Sequence, residues 1–460
     1  MNPAGTVGSA PERRSPSIAA FLSFLWPGLG HWYTRRDRAA ILFAVPFLGV
    51  VLVVAMQATE GLSGLAAVLI SPSSALTASI LIVLLGVWRE IAVIDSAMAI
   101  RPRGAWRRGR SLIVLSLVSV IILATHVWAG SVAWAFYDAG SRIFVGAEGP
   151  DAIAAAPATT LAPGRSADPN DVYVVPPFAT PASPTARINI LLTGVDSAEQ
   201  RSTAVTDTLI VASIDPTTRK VALISFPRDI ADFPLVDGGT YHAGINTFMT
   251  DVANHPTRYK DKPLVELARE LGFLVGAPIE YYAAVDLAGF RTLIDAVGGV
   301  TITNAQPVDD PTYLWRDGRH GFKLAAGTHA LDGEDALAYV RARSTPEDND
   351  VDRSRRQQEV LLGLLQKLTA PSMLTKVQQL VGLAGDTLRT NFPSDQISQM
   401  LSLADGIDTS SVTQIVLGPP YSVRSSGSQA GGTGALHLDL DRLAAMSIDL
   451  FGSDSTYHRD

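Results

Sequence analysis

The sequence predicts an exported α/β domain, one mixed β-sheet with helices on both faces, preceded by N-terminal transmembrane helices. Three observations predict it. Three long uncharged apolar stretches fall before residue 140, a Pro/Ala-rich segment separates them from the rest of the chain, and that remainder alternates short β-branched runs with amphipathic helical periods.

At 460 residues, 47% hydrophobic and with a mean hydropathy above zero, the chain is too apolar for an ordinary soluble protein. It is long enough for a membrane part and one sizeable domain. Spans are expected at about 39–57, 62–88 and 111–137, each near or above the roughly 20 residues that cross a bilayer as a helix. The earlier apolar stretch from Ser17 to Tyr33 is shorter and broken by Pro27 and Gly28, which predicts an interfacial or re-entrant segment.

Arginines cluster before the first span (Arg13, Arg14, Arg35, Arg36, Arg38) and between the second and third (Arg89, Arg101, Arg103, Arg107, Arg108, Arg110). The loop between the first and second carries only Glu60. By the positive-inside rule residues 1–137 form a multi-pass cell-membrane part with a cytoplasmic N-terminus, and everything after Tyr137 lies outside. Up to Tyr137 there are 11 Lys+Arg against 5 Asp+Glu, and beyond it 26 against 39. An acidic exported part argues against nucleic acid as a partner. The lack of any cysteine excludes a disulfide scaffold, a thiolate metal site and a thiol nucleophile.

Residues 138–186 are rich in Pro, Ala, Ser, Thr and Gly without hydrophobic periodicity, which predicts an extended extracytoplasmic tether. The domain expected over 187–420 opens with the buried-strand pattern "INILLTGVDS", followed by "DTLIVASID" and "KVALISFPRD" joined through the turn "DPTTR". Further strands are expected at "EYYAAVD", "VTITN" and "VTQIVLG". Helical periods occur in "PLVELARELG", "DLAGFRTLIDAVGG", "RSRRQQEVLLGLLQKL", "SMLTKVQQLVGLAG" and "SDQISQMLSLA". Residues 421–460 read as a C-terminal tail with a short helix at 439–451.

Polar residues at strand ends are where such sheets build chemistry. Asp196 ends the first strand, Asp207 opens the second, and Arg228 and Asp229 follow the third. Two carboxylates on one rim suit Mg²⁺, which takes one or two protein carboxylates and substrate phosphate oxygens. The plainer reading makes Asp207 a turn cap and pairs Arg228 with Asp229. In "RSRRQQEVLLGLLQKL" the inward stripe carries Arg353, then Arg356 or Gln357, then Val360 or Leu361, then Leu364. Buried cations at a helix start need an anion. Just upstream, Arg341 and Arg343 share one face if that segment is extended. Arg341, Arg343, Arg353 and Gln357 together suggest an oxyanion site that pyrophosphate would suit, whereas a solvated loop before an amphipathic helix is the bland alternative.

The motifs "LLTGVDS", "TDTLIVASIDPTTRKVALISFPRD", "GINTF", "YYAAVDLAGFRTLIDAVGGV", "LDGEDALAYVRAR" and "DNDVDRSRRQQEVL", in that order, resemble the LytR-CpsA-Psr family, enzymes that attach secondary glycopolymers such as teichoic acid or arabinogalactan to bacterial cell wall. The resemblance implies a polyprenyl-pyrophosphate-linked glycan donor with its lipid in an apolar tunnel, a peptidoglycan sugar hydroxyl as acceptor, and Mg²⁺ as cofactor. Carried over by motif, the metal carboxylates are Asp196 and Asp207, and the pyrophosphate ligands are Arg228, Arg341, Arg343, Arg353 and Gln357. Arg228 also counts as catalytic, with Asp229 or Asp350 as a base for the attacking hydroxyl. The chain departs from the family in having Gly244 before Ile245 and Asn246, Asp352 where glycine is frequent, Arg201 six residues before Asp207, and three spans where one is commoner. A polyprenyl-pyrophosphate hydrolase, or a non-catalytic wall-binding or signalling membrane protein, are the alternative readings. His242 and His320 are expected at the surface, without metal.

Overall fold

The computed structural model describes residues 14–58, 69–100, 105–144, 158–159, 174–175, 187–196, 205–259, 263–343, 350–370, 373, 376–404, 407–425 and 434–457. The chain divides into two compact units, Met1–Tyr137 and Asp138–Asp460.

In the first unit, α1 (Pro16–Leu25) and α2 (Leu29–Tyr33) are separated where Gly28 adopts φ +102°. Only glycine takes that conformation without strain, and a side chain there would also collide with the Ala40 carbonyl. Then follow α3 (Asp37–Ala58), α4 (Pro72–Met98) and α5 (Ala105–Ile143). Among the described residues three segments, Asp37–Met56, Pro72–Met98 and Ser111–Ile143, are long and apolar enough to cross a membrane. The second does not stop at Trp88 as expected: Arg89 continues the helix, donating to the Phe24 carbonyl at 2.7 Å and lying over the Phe24 and Phe47 rings. A charge with those partners no longer marks a helix end. The third likewise runs into the expected tether, to Ile143.

The second unit opens with that last turn of α5, where Ala139 packs against Gly385 and Phe144 bridges to Thr390. Most of 145–186 lies outside the described residues, apart from two paired two-residue strands, β1 (Ala158–Thr159) and β2 (Val174–Val175). The main chain then forms β3 (Ile188–Asp196), β4 (Val205–Ile214), β5 (Val221–Ser225), the small pair β6 (Phe233–Pro234) and β7 (Thr240–Tyr241), α6 (Phe248–Asn254), α7 (Pro263–Val275), β8 (Tyr281–Asp286) and α8 (Leu287–Ala296). Next come β9 (Val300–Asn304), β10 (Val308–Leu314), β11 (His320–Leu324), β12 (Gly327–Leu331), α9 (Gly333–Arg341), α10 (Asp350–Leu368), α11 (Val377–Thr387), β13 (Leu388–Thr390) and α12 (Ile397–Ala404). The unit closes with β14 (Thr413–Val416), β15 (Ser422–Arg424), β16 (Leu436–Leu438) and α13 (Leu440–Phe451).

A six-stranded mixed sheet in the order β13-β8-β3-β4-β5-β14 is the centre. Its strands alternate inward faces as a period of two requires. Leu191, Leu209, Val211 and Ile224 face a core shared with Phe248, Leu267 and Leu271, while Ile210, Ala212, Val221 and Leu223 face Leu361, Leu362 and Met400. The "DPTTR" turn forms as an Asx turn, Asp215 accepting from the amides of Thr217 and Thr218. A second core gathers α8, β9, α9 and α10; β9 therefore pairs with β12 outside the central sheet.

The described residues 421–425 and 434–457 are no tail. Leu436 and Leu443 are fully buried and join the main core with Met446 and Phe451, so the domain extends past the expected boundary at 420. The reason is physical: α13 has an apolar stripe, and such a stripe finds a partner when one is within reach.

Candidate active site

The sheet's directions build one edge. Strand β8 is parallel to β3 and β14 is parallel to β5, whereas β4 is antiparallel to both β3 and β5. The C-terminal ends of β3, β5, β8 and β14 therefore share an edge with the start of β4. Asp196 closes β3 opposite Val205, and Asp207 is the extra residue where the register shifts between the Gly194–Thr208 and Val195–Thr206 pairs. A bulge at that place is a frequent device beside active sites. The side chains of Asp196 and Asp207, and all of Arg201, lie outside the described residues.

Arg228 stands three residues beyond β5 on the same edge. Its Nε reaches Asp350 Oδ2 at 3.0 Å and stays 4.0 Å from Asp229 Oδ1. Pairing of Arg228 with Asp229 is thus the lesser contact. Arg353, one turn into α10, places Nη2 3.0 Å from the other oxygen of Asp350. Each carboxylate oxygen of Asp350 is held by a different guanidinium, and Arg353 and Asp350 are only 6% and 7% exposed.

Asp229 and Asp350 also share a hydrogen bond, and they titrate in opposite senses. Burial first, and Asp350 second, push Asp229 up to about 7, against the pull of Arg228 and Arg424. Asp350 is held below the usual carboxylate range: burial opposes this, but the bond from Asp229 and the guanidinium groups of Arg353 and Arg228 outweigh it. Two close carboxylates cannot both ionise cheaply, so one keeps a proton.

The inward stripe of α10 is as its spacing predicts. Arg353, Arg356, Gln357, Val360 and Leu364 are buried and Arg355 is exposed. Arg356 donates to the Ala342 carbonyl at 2.6 Å and lies over the Tyr339 ring. The geometry expected for Arg341 and Arg343 needs correction: Arg341 is the last residue of a helix, α9, and not part of an extended segment. Both side chains are exposed. The Arg343 amide donates to Asp310 Oδ2 at 2.7 Å, fixing the chain where it leaves α9. Neither residue joins the ion pairs around Asp350 among the described residues.

Sequence reasoning missed two residues. Gln358, fully buried, donates through Nε2 to Ser225 Oγ (2.7 Å), Ile415 O (2.9 Å) and Leu223 O (3.2 Å), tying α10 across β5 and β14. Arg424, with Nη1 3.9 Å from Asp229 Oδ2, lies in a segment that reads as tail. Adjacent polar residues on the helix hid Gln358; nothing local marked Arg424. His242 and His320 are exposed, and His242 pairs with Asp232 at 2.7 Å. No cluster of three metal-ligating side chains occurs among the described residues.

A family model described as the LytR_cpsA_psr family matches residues 164–444. Among relatives, the polyisoprenyl-teichoic acid–peptidoglycan teichoic acid transferase TagU of Oceanobacillus iheyensis is 29% identical over 231 residues, which cover 47% of this chain and 62% of that protein. TagU of Bacillus cereus is 30% identical over 213 residues, 46% of this chain and 63% of that one. The chain thus spans less than two thirds of the length of the curated relatives it matches. The crystal structure of B. subtilis TagV is similar at 21% identity and a TM-score of 0.47, covering 60% of this chain and 99% of that one.

Proposed function

The chain belongs to the LytR-CpsA-Psr family, and on that premise we propose that it is a membrane-anchored cell-wall glycopolymer transferase. The donor is a polyprenyl-pyrophosphate-linked glycan and the acceptor a sugar hydroxyl of peptidoglycan. The observation that carries this reading is Asp350 locked between Arg228 and Arg353, with the Asp229 carboxyl beside it raised by burial and by Asp350. Such an arrangement offers fixed cations for anionic oxygens and a carboxylate whose proton moves at neutral pH. The relatives named teichoic acid transferases support the same chemistry.

In this mechanism the acceptor hydroxyl attacks the phosphorus bonded to the glycan. A P–O bond forms to the acceptor sugar, the P–O bond to polyprenyl phosphate breaks, and polyprenyl phosphate departs with the bonding electron pair. The hydroxyl proton goes to Asp229, which is preferred over Asp350 because a base should titrate near the working pH. Asp350, held ionised by two guanidinium groups, orients them instead. Arg228, with Arg341 and Arg343 from the segment before α10, neutralises charge that grows on the phosphate oxygens; Arg353 and Gln357 support that wall from the first turns of α10. The donor set at the sheet edge, Asp196 at a strand end and Asp207 in a facing bulge, fits Mg²⁺ in kind, being two hard carboxylates. When bound, Mg²⁺ would neutralise pyrophosphate charge. The arginine distribution supports a cytoplasmic N-terminus and an extracytoplasmic catalytic unit.

The test is reconstitution of the full chain in lipid nanodiscs with a lipid-linked glycan and peptidoglycan fragments. Transfer of glycan to peptidoglycan with release of polyprenyl phosphate is expected. Phosphate release that ignores the acceptor would make the protein a hydrolase, and no turnover with intact donor binding would make it a binding protein.

A further inference from the structure

The C-terminal strands reach the site from behind. Strand β16 lies along the loop that carries Asp229: the Leu436 amide donates to the Asp229 carbonyl at 3.0 Å, the Ala231 amide donates to the Leu436 carbonyl at 3.0 Å, and Ile230 bridges to Leu436. Leu436 is itself fully buried in the main core. Its partner in β15 is Arg424, directly opposite in the register. The guanidinium of Arg424 is clamped by the Gly434 carbonyl, which accepts from Nη1 at 2.8 Å. A side chain on Gly434 would collide with the Ser425 carbonyl and crowd Arg424, so a glycine is needed for that close approach. An arginine anchored in this way is pre-ordered before any substrate arrives.

Among the described residues, three charged groups face Asp229: Asp350 from α10, Arg228 from its own loop, and Arg424 from the hairpin. Arg228 is engaged chiefly with Asp350. Arg424 Nη1 stands 3.9 Å from Asp229 Oδ2 at a site where the two side chains are only 32% and 22% exposed. We propose that Arg424 is a positioning residue, which from the C-terminal hairpin holds the Asp229 carboxylate in place and in its charged form against the repulsion of Asp350. The inference rests on the role given to Asp229 above. The hairpin thereby becomes part of the catalytic unit, and a chain cut after β14 lacks one of the cations that make Asp229 a usable base.

The experiment compares wild type, Arg424→Gln and Arg424→Lys as full chains in nanodiscs. The ¹³C shift of the Asp229 carboxyl, assigned by its loss in Asp229→Asn, is followed against pH. In Arg424→Gln the midpoint should move upward by about half a unit to one unit, because an opposite charge within a few ångströms is removed from a partly exposed pair; Arg424→Lys should stay near wild type. In the transfer assay Arg424→Gln should lose several-fold in kcat below pH 7, recover at pH 8.5, and keep its KM for the donor. An unmoved midpoint overturns the inference. So does a loss that is equal at all pH values with a raised KM, which would make Arg424 a substrate contact. Absence of transfer in wild type would sink the functional reading, while the NMR titration would still decide the role of Arg424.

Discussion

Arg353 and Asp350, one turn apart at the start of α10, form an ion pair at 3.0 Å with both side chains more than nine-tenths buried. Arg353→Ala removes one of the two guanidinium partners of the buried Asp350 and leaves Arg228 on its other oxygen, so it is expected to destabilise the domain by roughly 1.5–3 kcal/mol, whereas Arg355→Ala, whose exposed side chain reaches Asp352 at 2.5 Å, should change stability by about 0–1 kcal/mol. Urea unfolding of the two variants measures the difference, and equal midpoints would refute the buried-pair assignment.

Arg341 and Arg343 make the opposite prediction. Both are exposed, so alanine at either should leave stability within about 0.5 kcal/mol. If they meet the pyrophosphate, transfer should nonetheless fall roughly a hundredfold, as when other electrostatic stabilisers are removed. Normal turnover in both variants would return them to the solvated surface.

The pH dependence has a definite sign. Burial is the leading cause that raises Asp229 to about 7, Glu270 to about 7 and Glu280 to about 8, from ordinary values of 3.8, 4.5 and 4.5. A raised folded pKa means that the folded protein binds more protons than the unfolded chain, so stability falls as pH rises from about 4 to 8. Asp350, lowered, acts oppositely at the acid end. Glu280 accepts from the Asn189 amide at 2.8 Å, a bond that glutamine can replace. Glu280→Gln should flatten the decline above pH 6, read as hydrogen exchange in β3 and β8 against pH, and an unchanged slope would contradict the burial of its charge.

Metal removal tests the strand-edge carboxylates. Chelation by EDTA should silence transfer and excess Mg²⁺ should restore it. Asp196→Ala and Asp207→Ala should stay inactive at any Mg²⁺ concentration while folding normally, since a residue at a strand end or bulge contributes little to the core. Unfolding of Asp207→Ala would favour the turn-capping role, and activity in EDTA would remove the metal from the mechanism.

Much of the molecule is legible in the chain itself because it depends on local periodicity. Uncharged runs mark the three membrane-length helices, short β-branched apolar runs mark the central strands, and the 3.6-residue stripe of α10 carries Arg353 and Gln357 inward while leaving Arg355 outside. Arg341 and Arg343 are visible as charges, but the helix that ends at Arg341 is not, since α9 is only 9 residues long and its start is signalled mainly by the Asp332 cap.

By itself, then, the sequence determined the three membrane-length apolar helices ahead of an α/β domain, the strands whose ends carry Asp196, Asp207 and Arg228, and the polar residues that α10 buries. Only the tertiary structure decided who pairs with whom. Arg228 turns to Asp350, 122 residues away, more closely than to its neighbour Asp229, and Arg424 arrives from a hairpin that composition marks as a tail. The reason is that an ion pair depends on distance through space. Periodicity tells which side of an element a residue occupies, whereas the partner across the site is set by sheet order and by where the C-terminal hairpin docks.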